Sequence, residues 1–127
     1  MRILGIDYGE KRIGLALSDE SEILAREISI LSPKDFFKEI NQIIKDNQIS
    51  KIVLGWPLNM KGEKTEKTKE VESFKLKVKS LTGLPIDIVD ERLSSQMTNS
   101  LPGGGVNKDS LAAQIILQNY LNQQTQK

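Results

Sequence analysis

Three acidic residues lie where this chain is predicted to leave a strand or to enter a helix. Asp7 closes one apolar run, Glu91 comes just after another, and Asp109 stands in the first turn of a helical pattern near the C-terminus. Carboxylate oxygens are the ligands that Mg²⁺ and Mn²⁺ prefer. Two such ions held about 4 Å apart can activate a water molecule and stabilise the leaving oxygen in phosphodiester hydrolysis. These acids are therefore candidate metal ligands and catalytic residues.

The composition removes most other catalytic chemistries. The 127 residues include no histidine and no cysteine. This excludes disulfides, thiolate nucleophiles, serine–histidine–aspartate triads and zinc sites with histidine or cysteine ligands. Acid–base or metal chemistry in this chain must therefore use carboxylates, lysine or tyrosine.

Each acid also has an ordinary explanation when it is taken alone. Asp7 could be a turn-forming residue, together with Gly9, which can adopt a positive φ or approach a ligand closely. Asp109 could stabilise the dipole of its helix, and Glu91, beside Asp90, could be a solvated loop charge. Carboxylates packed together repel one another unless a cation binds them. A fold that brings the acids to one place would therefore favour the metal site.

The apolar patterns predict such a fold. Three strands joined by short turns, the third over residues 23–31, form an antiparallel meander. Ser32 and Pro33 are then typical of a helix start, and the apolar spacing after them is helical. A buried strand at residues 51–54 follows, and a helix at 65–81 leads to a fifth strand at 86–89. In the third strand, alternation places Ala25 and Leu31 on one face.

The remaining chain predicts a short helical piece at residues 94–100, a glycine-rich loop at 101–106 and a last helix at 107–122. The crossover helices favour parallel pairing of the fourth and fifth strands beside the first. The predicted fold class is α/β, with a five-stranded mixed sheet in the order 3-2-1-4-5 and helices on its faces. Sites in such sheets lie at the carboxyl ends of the parallel strands, where the three acids would converge.

Length, charge and hydropathy limit the number of domains and the kinds of partner that we expect. We expect one domain over residues 1–122 and a polar tail over 123–127. The net charge is +1, from 18 basic and 17 acidic residues, so any argument for nucleic acid must rest on local patches. No apolar run reaches the length of about 18 residues that a membrane span needs, and the N-terminus lacks a signal-peptide pattern. We expect no membrane partner and a cytoplasmic location.

Four blocks of the sequence resemble the YqgF family, a group of small RNase H-like proteins also called RuvX. The match covers nearly the whole chain, in order and at similar spacing. The blocks are GIDYG with RIGLA at residues 5–9 and 12–16, VLGWP at 53–57, DERLSS at 90–95, and DSLAA with IILQNYL at 109–113 and 115–121.

The resemblance implies an RNase H-like fold and a metal-dependent nuclease that hydrolyses phosphodiester bonds. It implies a role in maturing the 5′ end of the 16S ribosomal RNA precursor, whereas an older proposal for the family is cleavage of four-way DNA junctions. The family's acidic residues carry over to Asp7, Glu91 and Asp109, which would bind one or two Mg²⁺ or Mn²⁺ ions and activate water.

Three features depart from the pattern of such proteins. Many RNase H-like nucleases carry an acid at the end of strand 4, where this chain has Gly55, Trp56 and Pro57. Residues 101–107 contain no basic residue, although relatives have a longer and more basic segment there. Trp56 replaces the usual aliphatic residue. It could stack on a base, or it could plug the end of the sheet.

Basic and polar residues near the predicted site are candidate contacts to substrate phosphates, since Arg and Lys are suited to this role. Arg92 could instead form a structural ion pair with Asp90 or Glu91. A solvated helix face is the expected role of Lys75 to Lys79. The candidate substrate-binding residues are Lys11, Arg12, Asn59, Lys61, Arg92 and Lys108.

Four functions fit the sequence to different degrees. The first is an endonuclease on structured RNA, with pre-16S ribosomal RNA as the favoured partner and ribosomal assembly components as further partners. The second is a resolvase of DNA junctions, which should act as a dimer; the chain itself is expected to be a monomer or a weak homodimer. The third is a phosphotransferase of the sugar-kinase type, which is disfavoured because such an enzyme needs two lobes around its nucleotide and this chain supplies one. A non-catalytic RNA-binding assembly factor is the remaining alternative.

Overall fold

The structure is a computed structural model, and it describes residues 1–90 and 108–125. The predicted short helix at 94–100 and loop at 101–106 lie outside these ranges, as do Glu91 and Arg92. In chain order the elements are β1 (Arg2–Asp7), β2 (Ile13–Ser18), β3 (Ala25–Leu31), α1 (Pro33–Asn47), β4 (Ile49–Trp56), α2 (Glu66–Thr82), β5 (Ile86–Asp90) and α3 (Lys108–Thr125).

The five strands form one mixed sheet in the order β3-β2-β1-β4-β5, which confirms the predicted order. β1 pairs antiparallel with β2 and parallel with β4, and β4 pairs parallel with β5. The strands β1, β4 and β5 therefore end at the same edge of the sheet. None of the helices in the described ranges combines the length and the hydropathy needed to cross a membrane.

Local hydrogen bonds explain where the first two helices begin. The Ser32 side chain accepts a hydrogen bond from the backbone N–H of Asp35 at 3.2 Å, with Pro33 as the first helical residue. Thr65 and Thr68 form a reciprocal capping box at the start of α2. Gly83 ends α2 with a φ of +71°, a left-handed conformation that glycine adopts without steric cost.

Two strands differ from their predicted form. β4 continues through Gly55 to Trp56 because its parallel neighbours extend equally far, with Trp56 opposite Asp90. Around β2 and β3 the register shifts, so that Leu15 faces Ser29 while Ala16 faces Glu27. This bulge inserts an extra residue and reverses the alternation of side chains. The prediction that Ala25 and Leu31 share one face is therefore wrong.

The sheet has a separate core on each face. On one face α1 and α2 pack against the strands, and on the other face α3 is the helix that does so among the described residues. The helix side chains buried on the first face are Phe36, Ile40, Val71, Phe74 and Val78. Those buried on the second face are Ala113, Ile116, Leu117, Tyr120 and Leu121. α3 extends to Thr125, beyond the predicted end at residue 122, since glutamine is a good helix former.

A polar cluster fixes α3 at the amino-terminal end of the parallel strands. The Tyr120 hydroxyl donates to Asp87 Oδ2 at 2.7 Å and accepts from Lys51 Nζ at 2.9 Å. Lys51 also pairs with Asp87 at 3.4 Å. The hydrogen bond that Tyr120 donates lowers the pKa of Asp87, and the hydrogen bond that Lys51 donates to Tyr120 raises the pKa of Lys51. Burial raises the pKa of Tyr120 itself.

At Gly5, α3 lies directly against the backbone of β1. A Cβ added at Gly5 would lie 2.7 Å from the Cβ of Leu117 and 3.2 Å from the carbonyl oxygen of Ala113. A heavy-atom separation of 2.7 Å is a steric overlap, so a larger residue must push α3 away from the sheet.

We expect Gly5→Ala to lower the free energy of unfolding by about 1–3 kcal/mol, the usual range for overpacking. Urea denaturation measures this change, and amide hydrogen exchange should show α3 losing the most protection. Gly83→Ala is the control, since nothing lies within 4 Å of its added Cβ and its strain is confined to the end of α2. A Gly5→Ala protein with wild-type stability would contradict the close contact.

We expect Tyr120→Phe to cost about 1 kcal/mol at neutral pH, because it removes the hydrogen bonds to Asp87 and Lys51. The lowered pKa of Asp87 means that its contribution is present above its unfolded value, about 3.9, and is lost as pH falls through the folded pKa. The cluster is partly exposed, so solvent screening keeps this effect small. The stability difference between variant and wild type should therefore shrink at pH 3; a constant difference would contradict the assignment.

Candidate active site at the carboxyl edge of the sheet

Asp7 is the last residue of β1 and lies at the edge where the parallel strands end. Ile6 pairs with Leu54, which places Asp7 beside Gly55 of β4. Alternation along β1 puts Asp7 on the same face as Ile3 and Gly5, the face that α3 covers. The Asp7 carboxylate therefore belongs to the α3 side of this edge.

The start of α3 reaches the same edge. Tyr120 lies at the amino-terminal end of the strands, while Ala113 and Leu117 lie against Gly5, so α3 runs towards the amino-terminal ends as its numbering increases. Asp109 precedes Ala113 by one turn, about 6 Å along the axis. Asp7 lies about 7 Å beyond Gly5. The backbone thus places Asp7 and the first turn of α3 at the same edge of the sheet.

Of the other two acids, Asp109 is described by its backbone, and Glu91 lies outside the described residues. The backbone of Asp109 is in α3, and Glu91 comes directly after Asp90, the last residue of β5. The side chains of Lys108 and Asp109 lie outside the described part, like Glu91 and Arg92. Among the described residues no three acids lie close enough to hold a metal ion. The three-acid site remains a prediction, and its oxygen-only donor set fits a hard cation.

The turn between β1 and β2 holds Lys11 and Arg12 exposed beside Asp7. Gly9 does not have a positive φ. A Cβ added there would lie 2.5 Å from the carbonyl oxygen of Arg12, so the glycine is required by the close approach of the chain to itself. The two basic side chains are consequently presented on a tight turn next to the candidate site.

The loop after β4 is built around Asn59. Its side-chain oxygen accepts hydrogen bonds from the backbone N–H groups of Lys61 and Glu63, each at 2.9 Å. Its side-chain nitrogen makes a long contact of 3.4 Å with Glu63, so this nitrogen is the group that could still meet substrate. Lys61 is exposed. Thr68 is buried and donates to the carbonyl oxygen of Pro57, which ties the loop to α2.

Two aromatic residues lie at the same edge on the opposite face, the one covered by α1 and α2. Tyr8 follows Asp7 and packs on Phe74, with ring centroids 4.6 Å apart. Burial, then the charges of Glu70 and Glu10, raise the pKa of Tyr8. Sequence reasoning missed this position, although an aromatic residue directly after the candidate acid was a usable signal.

Trp56 ends β4, where it packs against the core with part of its surface exposed. Lys64 Nζ lies 6.0 Å from the centre of its ring. Plugging the end of the sheet and stacking on a ligand are therefore compatible, because each uses a different part of the side chain.

The lysines on α2 were expected to form a solvated helix face, but two of them also make contacts within the protein. Lys77 Nζ lies 4.3 Å from the centre of the Phe37 ring, and Lys79 donates a hydrogen bond to the carbonyl oxygen of Leu84.

Known proteins match this chain over nearly its whole length. The family model described as "RuvX: Holliday junction resolvase" matches residues 1–123. A protein from Dictyoglomus turgidum named "Putative pre-16S rRNA nuclease" is 39% identical over 133 residues, covering 96% of this chain and 94% of that protein. One of the same name from Sulfurihydrogenibium sp. is 42% identical over 130 residues, covering 95% of this chain and 90% of that protein.

Among solved structures, Thermus thermophilus RuvC in complex with a Holliday junction substrate superposes with a TM-score of 0.68. The two chains are 12% identical, and the match covers 98% of this chain and 96% of that one. At this identity the likeness concerns the fold alone, and it confirms the RNase H-like architecture. The family, the fold class and the nuclease class expected from the sequence are thus confirmed, and nucleic acid is the substrate class. The chain belongs to the RuvX family of nucleases.

Proposed function

We propose that this protein is a metal-dependent endonuclease that processes the 5′ end of pre-16S ribosomal RNA in the cytoplasm. The observation that carries the proposal is that Asp7 and the first turn of α3 lie at the same carboxyl edge of the sheet. The names of the relatives support the RNA substrate. Ribosomal assembly components are the expected further partners.

Asp7, Glu91 and Asp109 would hold one or two Mg²⁺ or Mn²⁺ ions, which supply an activated water and stabilise the leaving oxygen in phosphodiester hydrolysis. Lys11 and Arg12 lie exposed on the adjoining turn, where they would neutralise substrate phosphates and orient the strand. Lys61 and the side-chain nitrogen of Asn59 would contact the strand from the loop after β4.

Arg92 and Lys108 follow Glu91 and precede Asp109 in the sequence. We propose that they complete the phosphate contacts at this edge. The tight turn at Gly9 and the loop built on Asn59 would hold two of the contact regions in place, which limits the conformational entropy lost on binding.

A second candidate substrate is a four-way DNA junction, which the description of the family model favours. A resolvase must cut two symmetric strands, so this activity requires a dimer. We expect the isolated chain to be a monomer or a weak homodimer, and this expectation places the RNA substrate first. A sedimentation measurement that found a stable dimer would favour the junction.

We expect Asp7→Asn to fold normally and to lose cleavage by at least about 100-fold, because the loss of one ligand charge removes several kcal/mol of transition-state stabilisation. Asp46→Asn is the matched control: the same charge change on an exposed residue of α1 near the start of β4. Cleavage of a precursor ribosomal RNA fragment and of a four-way DNA junction should be followed in parallel, with Mg²⁺, with Mn²⁺ and with EDTA.

RNA cleavage that needs the metal and Asp7 supports the proposal. Cleavage of the junction alone would replace it with the second candidate. Absence of cleavage together with retained RNA binding would contradict the catalytic assignments and favour a binding module.

We expect Lys11→Gln to weaken binding of single-stranded RNA and to reduce the slope of log affinity against log salt concentration by about 0.7, the value for one lost phosphate contact. The measurement is fluorescence polarisation of a labelled oligonucleotide in EDTA over a salt series. Lys45→Gln, exposed near the C-terminal end of α1, is the control for charge. An unchanged slope in Lys11→Gln would show that this side chain does not contact phosphate.

A further inference from the structure

An open groove runs along α2 from the end of β4, on the face opposite to α3. Its volume is about 440 Å³. The residues lining it combine an aromatic ring and an exposed aliphatic side chain with charged and hydroxyl groups. They are Trp56, Lys69, Glu72, Ser73, Lys75 and Leu76.

The groove begins beside the candidate catalytic edge. Ile6 pairs with Leu54, so Trp56 is one residue beyond the level of Asp7 on the neighbouring strand. With strands about 4.8 Å apart and a rise of about 3.3 Å per residue, the backbones of Asp7 and Trp56 are about 6 Å apart. Their side chains lie on opposite faces of the sheet. A nucleic-acid strand crossing the edge at Asp7 would therefore reach Trp56 within its next few nucleotides.

The apolar part of the groove is accessible. Leu76 is 72% exposed, although it is a large hydrophobic residue, and Trp56 retains part of its surface while its remainder packs against the core. Aromatic rings bind single-stranded nucleic acid because any base can stack on them. In a duplex the base faces are already stacked, so this surface favours an unpaired strand.

The charges of the groove suit a polyanion. Two lysines, Lys69 and Lys75, and one glutamate, Glu72, line it, a difference of +1. Lys64 pairs with Glu72 at 2.9 Å, and Lys69 pairs with Glu66 at 3.6 Å between largely exposed side chains. Exposed pairs of this kind contribute little, so a phosphate can replace the carboxylate. Lys75 lies further along the same wall.

We infer that this groove binds a single-stranded segment of the substrate adjacent to the scissile phosphate, with one base stacked on Trp56 and phosphates at Lys69 and Lys75. The inference rests on the proposed function, since it takes Asp7 to mark the point of cleavage. It assigns the unpaired strand to the α2 side of the sheet, while Asp7 lies on the α3 side. The substrate is therefore unpaired on at least one side of the cut.

Trp56 is the one tryptophan in the sequence, so its fluorescence reports directly on the groove. We would titrate the wild-type protein in EDTA, where it does not cut, with a 12-nucleotide single-stranded RNA, with the same RNA annealed to its complement, and with an abasic strand of equal length. We expect saturable quenching by the single strand and little by the other two. Equal quenching by the duplex, or none by the single strand, would overturn the inference.

Variants test the two kinds of contact separately by polarisation of the labelled RNA. We expect Trp56→Leu to bind about tenfold more weakly and Trp56→Phe to retain most of the affinity, since one stacked base is worth roughly this factor or more. Lys75→Gln should reduce the salt slope by about 0.7, whereas Lys45→Gln should not. Wild-type affinity in Trp56→Leu would overturn the stacking contact, and far-ultraviolet circular dichroism verifies that each variant is folded.

Failure of this inference and failure of the proposed function give different results. Cleavage that depends on Asp7, without quenching and without an effect of Trp56→Leu, leaves the nuclease and removes the groove. Saturable quenching without metal-dependent cleavage supports the groove and removes the catalytic proposal. Polyglutamate is a polyanion without bases and serves as a further control. If it quenches to the same extent as RNA, the groove binds polyanions without contacting bases, and the inference is overturned.

Discussion

The close contact between α3 and β1 at Gly5 is the constraint on which the arrangement of the site depends. Because no side chain separates them, Leu117 and Ala113 reach the backbone of β1, and among the residues that the structure describes α3 is the helix that covers this face of the sheet. Tyr120 fixes the far end of the same helix to Lys51 and Asp87. With two points fixed, the direction of α3 is fixed as well, and its first turn must lie near the end of β1. The placement of an acid on α3 relative to Asp7 is thus a result of packing in the interior.

The two faces of the sheet carry different kinds of side chain at this edge. The face under α3 carries Asp7, and the face under α1 and α2 carries Tyr8 and Trp56. Successive residues of a strand point to opposite faces, so the adjacent residues Asp7 and Tyr8 lie on opposite faces. The edge can therefore combine a carboxylate site for cations with an aromatic and basic surface for a nucleic-acid strand, and the two do not compete for the same space.

Much of the fold followed from local sequence signals. The helix start at Ser32 and Pro33, the apolar spacing and the crossover rule were sufficient for the helices and for the order of the sheet. The four sequence blocks were sufficient for the family. The bulge opposite Leu15 and the extension of β4 to Trp56 could not be predicted, because each depends on the register of neighbouring strands rather than on the residues themselves. Gly9 was predicted to need a positive φ or a close approach to a ligand, whereas the structure shows a close approach to the carbonyl oxygen of Arg12 within the same turn. For the candidate site, the sequence predicted which residues take part but not the distances between them. The groove along α2 was missed because helical periodicity alone does not show which exposed side chains lie beside a strand end.

Gly5 and Leu117 touch although they are 112 positions apart in the sequence. During synthesis on the ribosome, β1 to β5 and the first two helices are made before α3, so the nascent chain at first lacks the helix that packs on this face of the sheet. Long-range contacts of this kind form late in folding, and an open apolar face invites association with other chains or chaperones. The same delay keeps the acid on α3 away from Asp7 until the helix docks. A partly synthesised chain thus cannot bring Asp7 and the first turn of α3 to the same edge, and this arrangement forms only after α3 has been made and has docked.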